Sequence, residues 1–204
     1  MWHFTDGRGF VITLSYAVLG LLARSPMSGY DLSQRLERPV GYFWHARRSQ
    51  IYPELARLEA DGLVTSETVE QRDRPTKRVY QVTEVGRATL RDWVETPMGM
   101  QPDRDVFLLK IYSLWLAAPR QARRLVRNAA KLHRERLEEY EAMQARMEDG
   151  WPISARRLGS PKFAAYATLR RGVEYERGFL EWCDWLLELI EHEAGATGES
   201  GAAL

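Results

Sequence analysis

Apolar residues recur at helical spacing in three short stretches near the beginning of the chain. The first spans about 13–24 and ends at Ser25-Pro26, because the residue before a proline avoids helical backbone angles. The second opens at Ser28, a residue type that caps helices well. The third spans about 49–61, with Ser49 as its expected cap, and its inward-facing residues follow spacings of four and three: Ile51, Leu55 and Leu58.

Two strands are predicted after these helices, at about 64–69 and 78–82. The polar turn QRDRPTK separates them, and Thr83 is expected to cap a fourth helix that ends near 94. Helices followed by a hairpin with a charged tip are typical of the winged helix-turn-helix. In that plan one helix enters the major groove of DNA and the hairpin, or wing, contacts the backbone.

The second half of the chain is predicted to be all helical, with helices at about 104–116, 119–149 and 161–193. The apolar positions expected to form the buried stripe of the long middle helix are Leu125, Ala129, Leu132, Leu137, Tyr140, Met143 and Met147. The last helix is apolar over a wide arc, so it needs partners on two sides. The small, polar tail is predicted to be disordered.

The fold class is therefore predicted as mainly α with a small β-hairpin wing. The predicted domains are a winged helix-turn-helix at 1–98, a helical domain at 99–194 and a disordered tail at 195–204. An N-terminal arm, about 1–10, is apolar enough to pack on a neighbour.

Composition adds constraints but identifies no function. The net charge is +1, with 13 basic and 12 acidic residues in 1–98, so charge that attracts DNA must be clustered. The one cysteine, Cys183, is expected to be a small buried hydrophobe rather than a reactive thiol. No signal peptide and no apolar stretch of about 20 residues is present, which favours a soluble cytoplasmic protein without membrane contact.

The third helix and the hairpin carry the residue types that DNA recognition requires. Arginine can pair with guanine, glutamine can pair with adenine, and cations hold phosphates. The predicted DNA-binding residues are Tyr30, Arg47, Arg48, Ser49, Gln50, Tyr52, Arg72, Arg74, Lys77 and Arg78. Alternatively, the arginines are solvated surface charges, Tyr52 is a core aromatic and Tyr30 has a structural role.

The runs SGYDL, YFW, SQIYPELARLEADGLV and RVYQVTEVGRATLRDWV resemble the PadR family of transcriptional regulators over about 12–95. The helical second half resembles, in length and helix pattern, the C-terminal domain of PadR-like proteins of the virulence-activator type. The resemblance implies a homodimer, formed through the C-terminal helices and here with the N-terminal arm, that binds an inverted-repeat operator in double-stranded DNA. It also implies that some members release DNA when a small aromatic or drug-like molecule binds.

The second half offers candidate residues for such an effector pocket: Trp115, Trp151, Trp182 and Trp185. The same aromatic side chains could instead fill a dimer core. His133 is expected at a surface or interface, and the four histidines have no metal-ligand spacing, so neither a metal nor a cofactor is predicted.

The predicted function is a homodimeric, sequence-specific DNA-binding regulator, a repressor relieved by a small aromatic ligand. The alternative is a winged-helix module that contacts only proteins. An enzyme is not predicted, because GxSxG, P-loop, HExxH and dinucleotide motifs are missing.

Overall fold

A computed structural model describes residues 9–37, 48–71, 74–98, 105–153 and 156–199. A 3₁₀ turn at Leu114–Leu116 joins two of its helices. The helices and strands in chain order are α1 (Gly9–Leu22), β1 (Met27–Ser28), α2 (Gly29–Glu37), α3 (Arg48–Ala60), β2 (Val64–Gln71), β3 (Arg74–Val82), α4 (Glu84–Glu95), α5 (Val106–Tyr112), α6 (Pro119–Glu148) and α7 (Pro161–Glu199).

The chain divides into two compact units, 1–100 and 101–204. In the first unit, leucines of α1, α2 and α3 pack against one face of the sheet. Side chains with almost no exposed surface fill this core: Val18, Leu19, Leu22, Leu32, Leu36, Ile51, Leu55, Leu58 and Val64. The inward-facing residues predicted for the third helix are therefore confirmed.

The sheet has three strands in the order β1-β3-β2, and both pairings are antiparallel. The hairpin strands are longer than predicted, reaching Gln71 and Arg74 at the tip. Strand β1 was not predicted, because it is only two residues long and leads directly into α2. Its residue Met27 pairs with Tyr80, so the start of α2 is fixed to the middle of β3.

A short connection joins α3 to β2, and the start of α4 packs against it. Gly62 has a φ of 71°, which favours glycine. Thr83 caps α4 as predicted, because its hydroxyl accepts a hydrogen bond from the Gly86 amide at 3.0 Å. The same hydroxyl donates to the Gly62 carbonyl oxygen at 2.8 Å. Gly86 itself is buried against the backbone of Leu63. The end of α3, the hairpin and α4 therefore meet at one joint.

In the second unit, α6 and α7 form an antiparallel hairpin. Its core is built from Ala122, Val126, Ala130, Leu180, Cys183 and Ile190. The predicted stripe on α6 was partly wrong, because Leu132 is 63% exposed whereas the small residues Ala122 and Ala130 are buried. Alanines at these positions let the two helices approach closely, and a hydropathy pattern that favours leucine does not find them.

The ends of two helices differ from the sequence prediction. Helix α5 stops at Tyr112 and gives way to the 3₁₀ turn, so the predicted helix 104–116 is shorter. Helix α7 continues to Glu199, which includes residues 195–199 of the segment predicted as a disordered tail. Residues 200–204 lie outside the described residues.

A charged group lies inside the helical hairpin. Glu176 is 2% exposed and contacts the Nδ1 atom of His133, while Arg136 donates to its other oxygen at 3.4 Å. The His133 ring stacks on Phe179 with the ring centroids 3.6 Å apart. His133 therefore joins the two long helices. Among the described helices, none is long and apolar enough to cross a membrane.

Candidate nucleic-acid interface

Helix α3 turns one face to the core and the other to solvent. Ile51, Leu55 and Leu58 are fully buried, and the positions between them point outward except Glu54, which is also buried. The outward positions in the first two turns are Ser49, Tyr52, Pro53 and Ala56. Apart from Tyr52, these side chains are small, which lets the helix backbone approach a partner surface closely. A helix that enters the major groove needs this property.

Glu54 fixes this orientation through contacts that the sequence did not reveal. It is 5% exposed, accepts a hydrogen bond from the Ser15 hydroxyl of α1 at 2.5 Å, and pairs with Arg57 at 2.6 Å. The hydrogen bond from Arg57 to Glu54 raises the pKa of the guanidinium above its usual range. The spacing of the apolar residues does not predict that Glu54 is buried, and the structure shows that its carboxylate attaches α3 to α1.

The predicted base-reading residues lie at the start of α3. Arg48 opens the helix, and Ser49 lies within its first turn instead of capping it. Ser49 is exposed and Gln50 is half-buried. Arg47 lies outside the described residues. The described part of this segment places Ser49, Gln50 and Tyr52 on the first turns of the helix, where contacts to base edges are made in this fold.

The N-terminus of α2 is capped by its own side chains. The Asp31 amide donates to the Ser28 hydroxyl at 3.1 Å, and the Ser28 hydroxyl donates to the Asp31 carboxylate at 2.7 Å. The Ser28 hydrogen bond is the main cause of a lowered pKa of Asp31, and the charge of Lys77 lowers it further. The Asp31 carboxylate would therefore repel a phosphate that bound at this helix end.

Three predicted DNA-binding residues from different elements come together beside this helix end. Tyr52 of α3 packs over Gly29, because a Cβ atom on Gly29 would lie 2.7 Å from the Tyr52 ring. Tyr30 is the next residue along α2, and its hydroxyl accepts a hydrogen bond from Gln34 at 2.8 Å. Both tyrosines are 54% exposed. Lys77 lies two positions along β3 from Val79, which pairs with Ser28 at the start of α2. We call Tyr30, Tyr52 and Lys77 the tyrosine-lysine cluster.

The remaining predicted cations belong to the wing and lie at different distances from its tip. Arg74 begins β3 opposite Gln71 near the tip, and Arg72 lies outside the described residues. Arg78 is farther from the tip, and its guanidinium is 2.7 Å from the Glu59 carboxylate of α3. The structure therefore shows Arg78 paired within the chain.

The four tryptophans predicted to line an effector pocket do not surround one cavity within a single chain. Trp151 is buried beside Tyr166, with ring centroids 5.5 Å apart, at the closed end of the α6–α7 hairpin. Trp182 lies about 24 Å farther along α7 than Tyr166, at a rise of about 1.5 Å per residue. There it contacts Phe107 and Phe179. Trp115 and Trp185 are 81% and 54% exposed.

The described residues contain no group of His, Cys, Asp or Glu that could hold a metal ion. His3 and His45 lie outside them. Cys183 is fully buried, as expected for a small hydrophobe, and burial is the main cause of its raised pKa.

Comparisons with known proteins agree with this geometry. Residues 18–92 match the transcriptional regulator PadR-like family, and residues 104–191 match the virulence activator alpha C-term family. The negative transcriptional regulator PadR of Bacillus subtilis is 31% identical over 185 residues, which cover 88% of this chain and 98% of that protein.

Two crystal structures of Bacillus subtilis PadR are similar to this chain. The complex with operator DNA has a TM-score of 0.79 at 29% identity and covers 87% of this chain and 99% of that one. The complex with p-coumaric acid has a TM-score of 0.74 at 27% identity and covers 92% of this chain and 98% of that one.

Proposed function

Because the chain belongs to the PadR family of transcriptional regulators, we propose that it binds operator DNA as a homodimer and represses transcription. The observation that carries this proposal is the outward face of α3, which is small and polar at its start and borders the tyrosine-lysine cluster. In this arrangement α3 enters the major groove. The two tyrosine hydroxyls and Lys77 contact the adjacent phosphates, which set the register but do not read sequence.

The direct test is binding of the full-length protein to the promoter next to its own gene, measured by fluorescence anisotropy at several salt concentrations. We expect sequence-selective binding that weakens steeply with salt, because cations that contact phosphates release counterions. If no salt-sensitive, sequence-selective binding is found, a winged helix that contacts only proteins is favoured instead. The complex of Bacillus subtilis PadR with operator DNA supports the DNA-binding function.

Gln50→Ala is expected to reduce sequence discrimination more than overall affinity. A bidentate pair between an amide and adenine contributes about 1–3 kcal/mol of discrimination, so the ratio of operator to random-sequence affinity should fall about 5- to 150-fold. Gln81→Ala, which removes an exposed amide from β3, serves as the control and should leave the ratio unchanged. If both variants behave like the wild type, Gln50 does not read a base.

Asp31→Asn is expected to strengthen DNA binding a few-fold while it slightly weakens the fold. The substitution removes a negative charge beside the tyrosine-lysine cluster. The cost to folding is about 1 kcal/mol or less, because the asparagine oxygen can still accept a hydrogen bond from Ser28 in the cap. Since the pKa of Asp31 is lowered in the folded state, its stabilising contribution is complete above the ordinary pKa and disappears as pH falls through the lowered value. Denaturant unfolding between pH 7 and pH 3 should show this difference between the wild type and Asp31→Asn. Equal DNA affinities for the two proteins would place the α2 terminus away from DNA.

The surface of α5 supports the homodimer. Phe107, Ile111 and Leu114 pack inward against α6 and α7. The opposite side of α5 and the 3₁₀ turn is also apolar but is 51–84% exposed, and it consists of Val106, Leu108, Leu109, Tyr112, Trp115 and Leu116. We call these residues the α5 outer face. Because a helix that is apolar on all sides needs two partners, we infer that the α5 outer face of a second copy covers it. The N-terminal arm, also predicted to join the dimer, lies mostly outside the described residues.

Two symmetry-related α3 helices then match an inverted repeat, whose half-sites lie about one helical turn or a multiple of it apart. We further propose that a small aromatic acid relieves repression, as the complex of Bacillus subtilis PadR with p-coumaric acid suggests. Titration of the protein–operator complex with p-coumaric acid tests this step. Release of DNA supports it, and unchanged affinity at saturating acid contradicts it for this compound.

A further inference from the structure

Arg78, Glu59 and Ser66 form a closed network at the base of the wing. The Arg78 Nε atom donates to the Ser66 hydroxyl at 2.6 Å, and Nη2 donates to the Glu59 carboxylate at 2.7 Å. The Ser66 hydroxyl in turn donates to the other Glu59 oxygen at 2.6 Å. One residue comes from each of β3, α3 and β2, so the network joins the candidate recognition helix to both strands of the wing. We call it the wing brace.

The direction of Arg78 follows from the alternation of the strand. Arg78 and Tyr80 share a face of β3, and Tyr80 is buried in the core of the first unit. The Arg78 guanidinium lies over the Tyr80 ring, 5.4 Å from its centroid. Arg78 therefore lies on the side of the sheet that faces α3. At about 3.4 Å per residue, Arg74 stands about 14 Å nearer the tip.

The pairing of Arg78 also limits its use as a phosphate contact. To reach DNA it would have to give up two charge-assisted hydrogen bonds and leave the Glu59 carboxylate, which is 29% exposed, next to the phosphates. While Arg78 and Glu59 stay paired, their opposite charges largely cancel, so together they attract a phosphate only weakly. The sequence-based assignment of Arg78 to DNA binding is therefore at odds with its surroundings.

We propose that Arg78 is a positioning residue, which together with Glu59 and Ser66 fixes the angle between the wing and α3. This inference rests on the proposed DNA-binding function. The hairpin is joined to α3 by a connection of a few residues that contains Gly62. The base of the hairpin is also held by the pairing of β1 with Val79 and Tyr80 and by the burial of Tyr80 and Val82. The wing brace adds an attachment on the tip side of these contacts, where the strands could otherwise tilt. With the tilt fixed, α3 and the wing tip reach the same duplex together.

The test uses neutral and charged variants of the full-length protein in operator binding. Ser66→Ala changes no charge and is expected to weaken operator binding about 3- to 10-fold. Glu59→Gln should weaken binding relative to Glu67→Gln, which removes the same charge from an exposed position on β2 outside the wing brace. If Arg78 contacts phosphate instead, Ser66→Ala has no effect, and Glu59→Gln binds at least as tightly as Glu67→Gln.

The salt dependence distinguishes positioning from phosphate contact at Arg78 itself. Arg78→Gln should weaken binding while the slope of log Kd against log salt stays unchanged, whereas Lys77→Gln should reduce that slope by about 1. The double variant Glu59→Gln/Arg78→Gln should bind the operator at least as tightly as whichever single variant has the lower affinity. A reduced slope for Arg78→Gln would overturn the proposal.

A measurement without DNA keeps this inference separate from the proposed function. In the free protein, Ser66→Ala and Arg78→Gln should speed hydrogen exchange of wing amides between Val69 and Lys77, with no such change in α6 and α7. Unchanged exchange in both variants would overturn the positioning role even if operator binding is strong. Faster exchange in a protein that binds no DNA would leave the wing brace established and contradict only the DNA-binding function.

Discussion

Gly86→Ala is expected to destabilise the first unit by about 2–4 kcal/mol. The new Cβ atom would lie 2.1 Å from the Leu63 carbonyl oxygen and 2.9 Å from Cγ2 of Val82. Backbone atoms cannot move aside as a flexible side chain can, so α4 must shift away from the joint with β2 and β3. Overpacking of a tight site commonly costs about 1–3 kcal/mol, and a clash with backbone lies at the upper end.

Urea unfolding followed by circular dichroism measures this change, with Gly20→Ala as the matched control. Nothing lies within 4 Å of a Cβ atom at Gly20, which is in the interior of α1. Alanine there should leave the unit as stable as the wild type, or more stable by about 0.5–1 kcal/mol. If Gly86→Ala unfolds at the same urea concentration as Gly20→Ala, then α4 does not approach Leu63 as closely as described.

Trp115→Glu is expected to dissociate the proposed dimer and to abolish tight operator binding. Trp115 is 81% exposed within one chain and belongs to the α5 outer face. Truncating a central interface tryptophan commonly costs about 2–4 kcal/mol, and a buried charge adds to this loss. The dimer dissociation constant should therefore rise at least 30-fold, about 1.4 kcal/mol being a factor of ten.

Sedimentation equilibrium measures the dimer, and anisotropy measures operator binding in the same samples. Leu158→Glu is the control, because Leu158 is 87% exposed in the turn between α6 and α7, outside the α5 outer face. It should remain dimeric and bind DNA normally. A dimer that survives Trp115→Glu would show that another surface joins the two copies. A dimer that is lost while operator affinity persists would show that one winged helix suffices for binding.

Much of the first unit follows from local sequence signals. The spacing of Ile51, Leu55 and Leu58 predicts the buried side of α3, because a helix repeats every 3.6 residues. Thr83 predicts the start of α4 because its side chain can satisfy a free amide, and the structure confirms that bond. These signals depend only on residues close together in the chain.

The features that the sequence did not reveal depend on contacts between distant residues. Glu54 and Glu176 are charged, so hydropathy places them on the surface, yet each is buried by partners from another helix, Ser15 and His133. The sequence predicts Arg78 as a DNA contact because it lies near other cations along the chain. Its partner Glu59 lies nineteen positions earlier, and only the folded hairpin brings them together.

The four tryptophans illustrate the same limit on a larger scale. The sequence shows that the second half contains many aromatic residues, but it does not show which of them lie close together in the folded chain. Helix α7 is rigid and long, so Trp182 and the Trp151–Tyr166 pair are held at separate places along it. An aromatic cluster does form, but it comprises Phe107, His133, Phe179 and Trp182. Only Trp182 among these members was a predicted pocket residue. His133 was expected at a surface or interface, and phenylalanine at helical spacing is expected in any core.

Because Cys183 is buried, the rate at which this single thiol reacts with a reagent can report how often the α6–α7 hairpin opens. Its side chain is fully enclosed and its pKa is raised, so a thiol-specific reagent can react only when the two helices separate. The labelling rate of the intact protein, extrapolated to high reagent concentration, then equals the rate of that opening. Slower labelling after dimerisation or after addition of an aromatic acid would report, without any engineered probe, that the partner or the ligand closes this hairpin.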